Sequence, residues 1–309
     1  MLSTWQMIQS AGDAMIGALW LLPALVALHL VQLLLSAGAW RILLPGPPVG
    51  LVAFYRFRLI REGIDSLLPV AQVGGEIVGA RLLARTGIAA VLSTASIVVD
   101  VTLEFLSQIG FLLIGLAAWA AMAPRPDQPP SWTPWFAFGL AAGAAVGLLV
   151  AQRFGLLRVV EALSRQIAAR LPALTGLSLD GLHEAAILLY TRRGPVTVAG
   201  GLHLVAWLLG SLESWAVMNT LAQDVTFSSS LVIESLGMAG RSAGFAVPGA
   251  LLVQETGFVL AAAAMGLPDS AGLALSLLKR VREVSTGLIG CTLWQWAERV
   301  RMPVVRESL

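Results

Sequence analysis

The feature that most constrains this sequence is a series of apolar runs, each close to the length that crosses a lipid bilayer. A membrane-spanning helix needs roughly 20 predominantly apolar residues to cross about 30 Å of hydrocarbon. Runs near or above that length occupy residues 15–35, 89–121, 135–150, 196–221 and 271–296. Charged residues make up only 12% of the chain, about half the usual share of a soluble domain. The sequence therefore predicts an all-α integral membrane protein with about six transmembrane helices.

The arginines predict how the chain is oriented, because short cytoplasmic loops carry an excess of basic residues. The amphipathic segment 153–193 carries six arginines and is predicted to be cytoplasmic. The C-terminus is predicted to be cytoplasmic for the same reason. The first 40 residues contain no Lys or Arg, so the N-terminus is predicted to be outside. The four arginines that follow the first span, at positions 41, 56, 58 and 61, are interpreted as cytoplasmic as well.

This orientation holds only if segments 50–86 and 225–268 enter the membrane and return on the same side. Both contain Pro and Gly beside single acids. Broken backbone at membrane depth is tolerated only where protein buries it or where it lines a water-filled cavity. We therefore predict two re-entrant broken helices. An amphipathic helix lying at the interface is the alternative.

An internal repeat accompanies these broken segments. Pro69, Glu76, Gly87 and Glu104 each have a counterpart 179 residues later, at Pro248, Glu255, Gly266 and Glu283. The predicted single membrane domain consists of repeat one at about 13–122, a connecting span at 132–152, the segment 153–193, and repeat two at about 194–297. With the predicted topology the repeats are inverted. That architecture is common in transporters, whose broken helices meet near the bilayer midplane.

Charged residues lie inside two of the predicted spans. In the earlier span they form one helical face, Ser93, Ser96, Asp100, Glu104 and Ser107, and in the last span the set is Ser276, Lys279, Glu283 and Thr286, with Arg280 and Arg282 beside it. A charge at a helix centre costs about 2.5–3.5 kcal/mol to insert. These side chains therefore line a functional cavity or form structural ion pairs, such as Asp100 or Glu104 with Arg280 or Arg282. A loop over residues 279–283 is a third interpretation.

Other polar residues carry weaker signals. Arg241 offers a planar fork that suits a phosphate or carboxylate, but Glu234 on the same segment could neutralise it. His29, Gln32 and Ser36 in the first span, and His203 and Glu213 in a later one, are typical of hydrogen bonds between helices. The sequence shows no metal-ligand spacing and no nucleotide-binding glycine pattern. We therefore predict no metal, no cofactor and no catalytic residue, and the net charge of +2 does not indicate a nucleic-acid partner.

Two motif blocks resemble a known family. They run from Asp65 to Glu76, DSLLPVAQVGGE, and from Glu234 to Glu283, where RSAGFAVPGA, VQE and LLKRVRE stand out. Both resemble the flippase-like membrane domain of lysylphosphatidylglycerol synthases, specifically its subgroup associated with hopanoid biosynthesis. The resemblance implies lipid handling in the bacterial cytoplasmic membrane. The chain departs from that pattern at Ser66, where Asn is expected, and at Leu252 and Thr256, where glycines are expected.

The leading hypothesis is a lipid transporter or flippase that is not an enzyme. Its predicted substrate-binding residues are Gln72, Glu76, Arg81, Asp100, Glu104, Glu234, Arg241, Gln254, Glu255, Lys279, Arg280, Arg282 and Glu283. The predicted partners are membrane lipids, and a homo-oligomer or an association with lipid-synthesis enzymes stays open. An intramembrane transferase acting on a lipid headgroup is the first alternative. A scaffold for a lipid-synthesis complex, docked through segment 153–193, is the second.

Overall fold

The computed structural model describes residues 4–68, 74–122, 180–222, 224–243 and 252–299, with four isolated positions between 143 and 150. The described residues are α-helical apart from turns and one 3₁₀ turn, which confirms the all-α prediction. Pro69, Gln72, Pro248 and the segments 132–142 and 151–179 lie outside the described residues.

The helices fall into two consecutive groups. The first group consists of α1 (Thr4–Ala18), α2 (Leu22–Leu43), α3 (Leu51–Leu67), α4 (Gly74–Ala84) and α5 (Ala90–Ala120). The second consists of α6 (Leu182–Thr191), α7 (Arg193–Ala222), α8 (Phe227–Ala243), α9 (Val253–Ala264) and α10 (Asp269–Arg299). A 3₁₀ turn at Leu19–Leu21 and a proline in the first turn of α2 separate α1 from α2. Proline is favoured there because the first helical N–H groups have no intrahelical acceptor.

Three stretches within the described residues are long and apolar enough to span a membrane: Trp5–Leu43, Ala90–Ala120 and Arg193–Ala222. They overlap the predicted runs 15–35, 89–121 and 196–221. Helix α10 has the same length as α5, 31 residues. Its composition differs because four charged residues lie near its middle, at positions 279, 280, 282 and 283. Since these positions are helical, the interpretation of 279–283 as a loop is wrong.

Helix boundaries recur at the offset of 179 residues. Helix α5 starts at residue 90 and ends at 120, and α10 starts at 269 and ends at 299. Helices α4 and α9 start at 74 and 253, and α2 and α7 end at 43 and 222. The glycines that precede the two long helices, Gly87 and Gly266, both have positive φ angles, of 97° and 72°. Such angles suit glycine because it has no Cβ.

The two halves are intertwined in their packing. Helices α2 and α7 pack against each other, α3 packs against α10, and α8 packs against α5. The first helix of each pair α3–α4 and α8–α9 therefore rests on the long helix of the other half. An apolar cluster surrounds each pair, one including Phe54 and Ile60 and the other including Ile233 and Phe258. These clusters hold the scaffold around a polar centre.

Helix α6 lies at the C-terminal end of the amphipathic segment 153–193 and is packed against other helices. Its buried residues Leu182, Ala186 and Leu189 join a cluster with α2, α5 and α7. The Arg192 guanidinium, just after α6, donates a hydrogen bond to the carbonyl of Leu43 at 2.5 Å. The C-terminal part of this segment is therefore integrated into the bundle. The rest of it lies outside the described residues.

Leu252, at the start of α9, has a φ of 65° and is 78% exposed. A left-handed backbone angle is costly for a side chain with a Cβ and is easy for glycine. This is one of the two positions at which the resembling family is expected to carry glycine. The departure in sequence therefore coincides with a strained turn in the structure.

The crossing of α3 and α10 depends on the absence of a side chain at Gly63. A Cβ added there would lie 2.6 Å from the carbonyl oxygen of Gly287 and 2.8 Å from the amide nitrogen of Cys291. Backbone atoms of two packed helices cannot move aside independently. Overpacking of this kind costs about 1–3 kcal/mol.

We expect Gly63→Ala to lower the midpoint of thermal unfolding of the detergent-purified protein. Gly12→Ala in α1 is the matched control, because a Cβ there would meet no atom within 4 Å. Alanine favours a helix over glycine by about 0.8–1.0 kcal/mol, so the control should keep or raise the midpoint. Equal midpoints for the two variants would show that α3 and α10 do not depend on this close approach.

Candidate functional site

A cavity of ≈ 710 Å³ lies between the two halves of the bundle. Its walls come from α2, α3, α4, α5, α7, α8 and α10. The acids that line it are Glu62, Asp65, Glu76, Glu104, Glu234 and Glu283, and the bases are Arg58, Arg241, Arg282, His29 and His203. Its volume falls within the range of about 300–1,000 Å³ typical of ligand pockets. The described part of the chain thus presents a polar chamber inside an apolar bundle.

Arg61 is the centre of the ion pairs in the first half. Its side chain is fully buried, and its terminal nitrogens lie 2.9 Å from Asp100 Oδ2 and 2.6 Å from Glu76 Oε2. The other oxygen of Asp100 lies 3.0 Å from Nε2 of His203. The Arg61 guanidinium also stacks over the ring of Trp40, 5.0 Å from its centroid. One buried cation therefore holds two acids, of which Glu76 faces the cavity.

Lys279 is the corresponding centre in the second half. Its ammonium lies 3.2 Å from Glu213 Oε2 and 3.0 Å from Glu234 Oε1, and only 2% of its side chain is exposed. Ser214 donates a hydrogen bond to the other oxygen of Glu234. Arg282 forms a second ion pair with Glu213. Again a buried cation stands behind a cavity-lining acid, in this case Glu234.

Lys279 occupies the position 179 residues after Asp100, so the two halves carry opposite charges at equivalent places. The partners differ in the same way: Asp100 contacts the basic side chains of Arg61 and His203, and Lys279 contacts the carboxylates of Glu213 and Glu234. Helix α7 supplies one partner to each network. Its His203 and Glu213 are ten residues apart, which is about 15 Å along a helix.

In each half, a glutamate on the long helix is also bound to an arginine on the first helix of the pair α3–α4 or α8–α9. Arg58 on α3 donates a hydrogen bond of 2.6 Å to Glu104 on α5. Arg241 on α8 forms an ion pair with Glu283 on α10, and Glu283 is the counterpart of Glu104. These two arginine–glutamate pairs line the cavity from opposite halves. Each of these charged groups at the wall therefore has an oppositely charged partner within the protein.

Six of the predicted site residues line the cavity: Glu76, Glu104, Glu234, Arg241, Arg282 and Glu283. Asp100 and Lys279 lie directly behind its wall and neutralise residues that line it or lie beside it. The side-chain oxygen of Gln254 accepts a hydrogen bond of 2.8 Å from Arg241. The structure thus brings together most of the predicted set.

Three of the predicted residues lie away from the cavity wall. Glu255 and Arg280 pair with each other, with the guanidinium Nε 2.8 Å from Glu255 Oε1, and neither lines the cavity. Arg81 is 46% exposed and pairs with Glu298 at one end of the bundle. The remaining prediction, Gln72, lies outside the described residues.

The predicted partners of several charges differ from those in the structure. Asp100 and Glu104 pair with Arg61 and Arg58 on α3, and not with Arg280 or Arg282. Glu234 is bound to Lys279, and Arg241 is bound to Glu283. The reason is that α3, α7 and α8 supply nearer partners than the two long helices supply to each other.

Helix α3 supplies site residues that were not predicted. Arg58 and Arg61 were interpreted as cytoplasmic, but they are 8% and 0% exposed within the bundle. With Glu62 and Asp65 they recur at helical spacings of three, one and three. That spacing, on a segment with interleaved Phe and Ile, is the signal that could have identified a buried charged face.

Two further wall residues, His29 and Gln32 on α2, were expected only to bond other helices. In the structure they bond each other at 2.7 Å, and His29 Nε2 lies 3.7 Å from Glu62. Asp65 accepts a hydrogen bond of 2.8 Å from the amide of Gly75 and thereby joins the end of α3 to the start of α4. No grouping of three or more His, Cys, Asp or Glu suited to a metal ion occurs among the described residues.

The family comparison agrees with the resemblance seen in the two motif blocks. The family model described as the lysylphosphatidylglycerol synthase TM region matches residues 3–290, which is nearly the whole chain. No curated protein and no solved structure matches the chain significantly.

A double-mutant cycle on Arg58 and Glu104 tests whether the cavity wall is held by ion pairs. Removing one partner of a buried pair leaves the other uncompensated, at a cost of about 3–5 kcal/mol. We expect Arg58→Gln and Glu104→Gln each to destabilise the protein strongly. The double variant should be clearly more stable than the sum of the two effects predicts.

Unfolding in a titration with a denaturing detergent measures these free energies. The control is Arg193→Gln, at an exposed position, which should change the free energy of unfolding by at most about 0.5 kcal/mol. If the two single effects simply add in the double variant, the pair makes no energetic contribution to the wall.

Proposed function

The chain belongs to the family of the lysylphosphatidylglycerol synthase transmembrane region, and from this premise we propose that it is a lipid transporter or flippase. The polar headgroup passes through the central cavity while the apolar part of the lipid stays in the hydrocarbon. The proposed location is the bacterial cytoplasmic membrane, with the N-terminus outside and the C-terminus cytoplasmic. The proposed cargo is a hopanoid or another lipid with a polar headgroup.

The observation that supports this function is the placement of the charges. The cavity is lined from both halves by ionised groups whose partners lie within the protein. A bundle that needed only stability would gain as much from apolar packing, because replacing buried ion pairs with apolar residues is often neutral or stabilising. Charges kept around a cavity in a membrane protein are typical of a substrate or ion pathway.

The helix arrangement supports a re-entrant course for the pair α3–α4. Arg56, near the start of α3, lies over the ring of Trp296, and Arg81, near the end of α4, pairs with Glu298. Both partners belong to the last turn of α10, so the chain approaches and leaves at the same end of that helix. We take the pair α8–α9 to be its inverted counterpart at the other end of the bundle. Alternating access is then a rocking of one half against the other around the shared cavity.

A passing headgroup would exchange partners with the wall. Arg58 and Arg241 are bound to Glu104 and Glu283, so a phosphate can engage either guanidinium only as its carboxylate partner moves away. An amine on the headgroup can equally engage the released carboxylate. Such an exchange keeps every charge paired at each step, which avoids the cost of an isolated ion in the membrane.

This role requires no bond making, and we propose that the chain is not an enzyme. Four of the six acids in the wall, Glu76, Glu104, Glu234 and Glu283, are each bound to the side chain of an Arg or Lys. A general base needs an available lone pair within reach of the proton that it removes. Carboxylates that are already paired with cations are better suited to binding a headgroup than to removing a proton from it.

We expect Arg241→Gln and Glu283→Gln each to reduce lipid movement by about tenfold or more, the effect of losing one contact of about 1.4 kcal/mol. The measurement is dithionite quenching of fluorescently labelled phospholipids in proteoliposomes, with neutral, anionic and cationic headgroups compared. Glu184→Gln, an exposed change of the same type on α6, is the control and should move lipid at the wild-type rate.

If both cavity variants moved lipid at the wild-type rate, the cavity would not be the transport path. The transferase alternative is tested with the same protein, incubated with lipids and candidate donors and analysed by mass spectrometry. A modified lipid whose formation depends on Glu76 would replace transport with catalysis as the function.

A further inference from the structure

A second charged surface lies outside the cavity, at the end of the bundle where α10 ends. It consists of Arg56 on α3, Arg81 and Arg85 at the end of α4, and Trp294, Trp296, Glu298 and Arg299 on α10, and we call it the arginine patch. All four arginines are exposed, and Glu298 is the acid to which Arg81 and Arg85 are bonded. None of these residues lines the cavity.

Glu298 organises the patch but does not neutralise it. One of its oxygens pairs with Arg81, and the other accepts hydrogen bonds of 3.2 Å from both terminal nitrogens of Arg85. The indole of Trp294 donates to the same carboxylate at 3.2 Å. The side chains of Arg81 and Arg85 nevertheless remain 46% and 41% exposed. A clear excess of positive charge therefore faces outward.

The equivalent helix of the second half carries no arginines at these places. The positions 179 residues after Arg81 and Arg85 are Leu260 and Ala264, at the same place on α9. Leu260 is 64% exposed and carries no charge. The same helix pair is thus built twice, once with two outward arginines and once without them. The difference indicates a role at one end of the bundle only.

The tryptophans indicate the depth of the patch. Trp296 is 51% exposed and lies under the guanidinium of Arg56, 5.9 Å from its ring centroid. Exposed tryptophans near the end of a long helix in a membrane protein are typical of the level of the lipid headgroups. Guanidinium groups at that level meet phosphates, which they bind through a planar fork.

We propose that the arginine patch is a binding site for the headgroup of an anionic phospholipid, separate from the transport cavity. The phosphate would lie between Arg81 and Arg85, beside the Arg56–Trp296 pair. Because the lipid binds arginines of α3 and α4 next to the last turn of α10, it holds these two helices against α10.

The test uses the full chain, purified in detergent and titrated with phosphatidylglycerol and with phosphatidylcholine, with bound lipid counted by native mass spectrometry. We expect the wild type to retain phosphatidylglycerol preferentially. R81Q/R85Q should weaken that retention by about 30-fold, since each of the two arginines near a membrane surface contributes about 1 kcal/mol to attraction for anionic lipid. Excess inorganic phosphate should not displace the lipid.

The matched control is R41Q/R193Q. It removes two exposed arginines near the hydrogen bond from Arg192 to Leu43, outside the patch, and it should leave retention unchanged. Glu298→Gln separates lipid binding from a merely structural salt bridge. A structural bridge predicts that this variant weakens retention as R81Q/R85Q does. A lipid site predicts tighter retention, because a competing carboxylate charge has been removed.

Four results would overturn the proposal: equal retention of the two lipids by the wild type, equal losses in R81Q/R85Q and R41Q/R193Q, displacement by inorganic phosphate, or weaker retention in Glu298→Gln. Thermal unfolding of each variant is followed alongside, so that loss of lipid is not confused with loss of fold. If the arginine patch bound an acidic peptide and did not prefer phosphatidylglycerol, it would be a site for a protein partner. That result would contradict the lipid assignment.

Discussion

The fold depends on the cost of placing a charge where neither water nor an opposite charge can reach it. Arg61 and Lys279 are almost completely buried, and each must hold two partners to exist as an ion. Those partners come from different helices, so each cation fixes the relative position of three elements. Apolar packing alone would let helices slide by a turn with little penalty, because many registers bury similar area. Ion pairs of this kind permit one register and make the arrangement specific.

The two halves match more closely in their helix boundaries than in the charges at equivalent positions. Helix boundaries recur to the residue for α5 and α10, yet Asp100 is replaced by Lys279 at the equivalent place. Glu76 faces the cavity, whereas its counterpart Glu255 is bound to Arg280 outside it. The two halves therefore share helix boundaries while several equivalent positions around the cavity carry different charges or partners.

The sequence predicted the helical class, the long spans and the charged faces of α5 and α10, because periodicity and length are local properties. It also singled out Glu104 and Glu283, whose depth follows from their distance to the ends of long helices, and Arg241 on the shorter helix α8. It did not locate Arg58, Arg61, Glu62 and Asp65 in the site. Arginines near a short connection look alike whether they lie at the membrane surface or inside the bundle, and only the packing of α3 against α10 decides between the two. The partner of each charge was unpredictable for the same reason, since pairing depends on which helices are neighbours.

Lys279 is the single lysine of the chain, and its ammonium is shielded by Glu213, Glu234 and the ring of Phe258. Amine-reactive reagents of ordinary size therefore have one internal lysine to modify, and it is protected as long as the network is closed. The rate at which the purified protein is labelled at Lys279 therefore reports how often the ion-pair network around it opens, and no residue has to be changed to measure it.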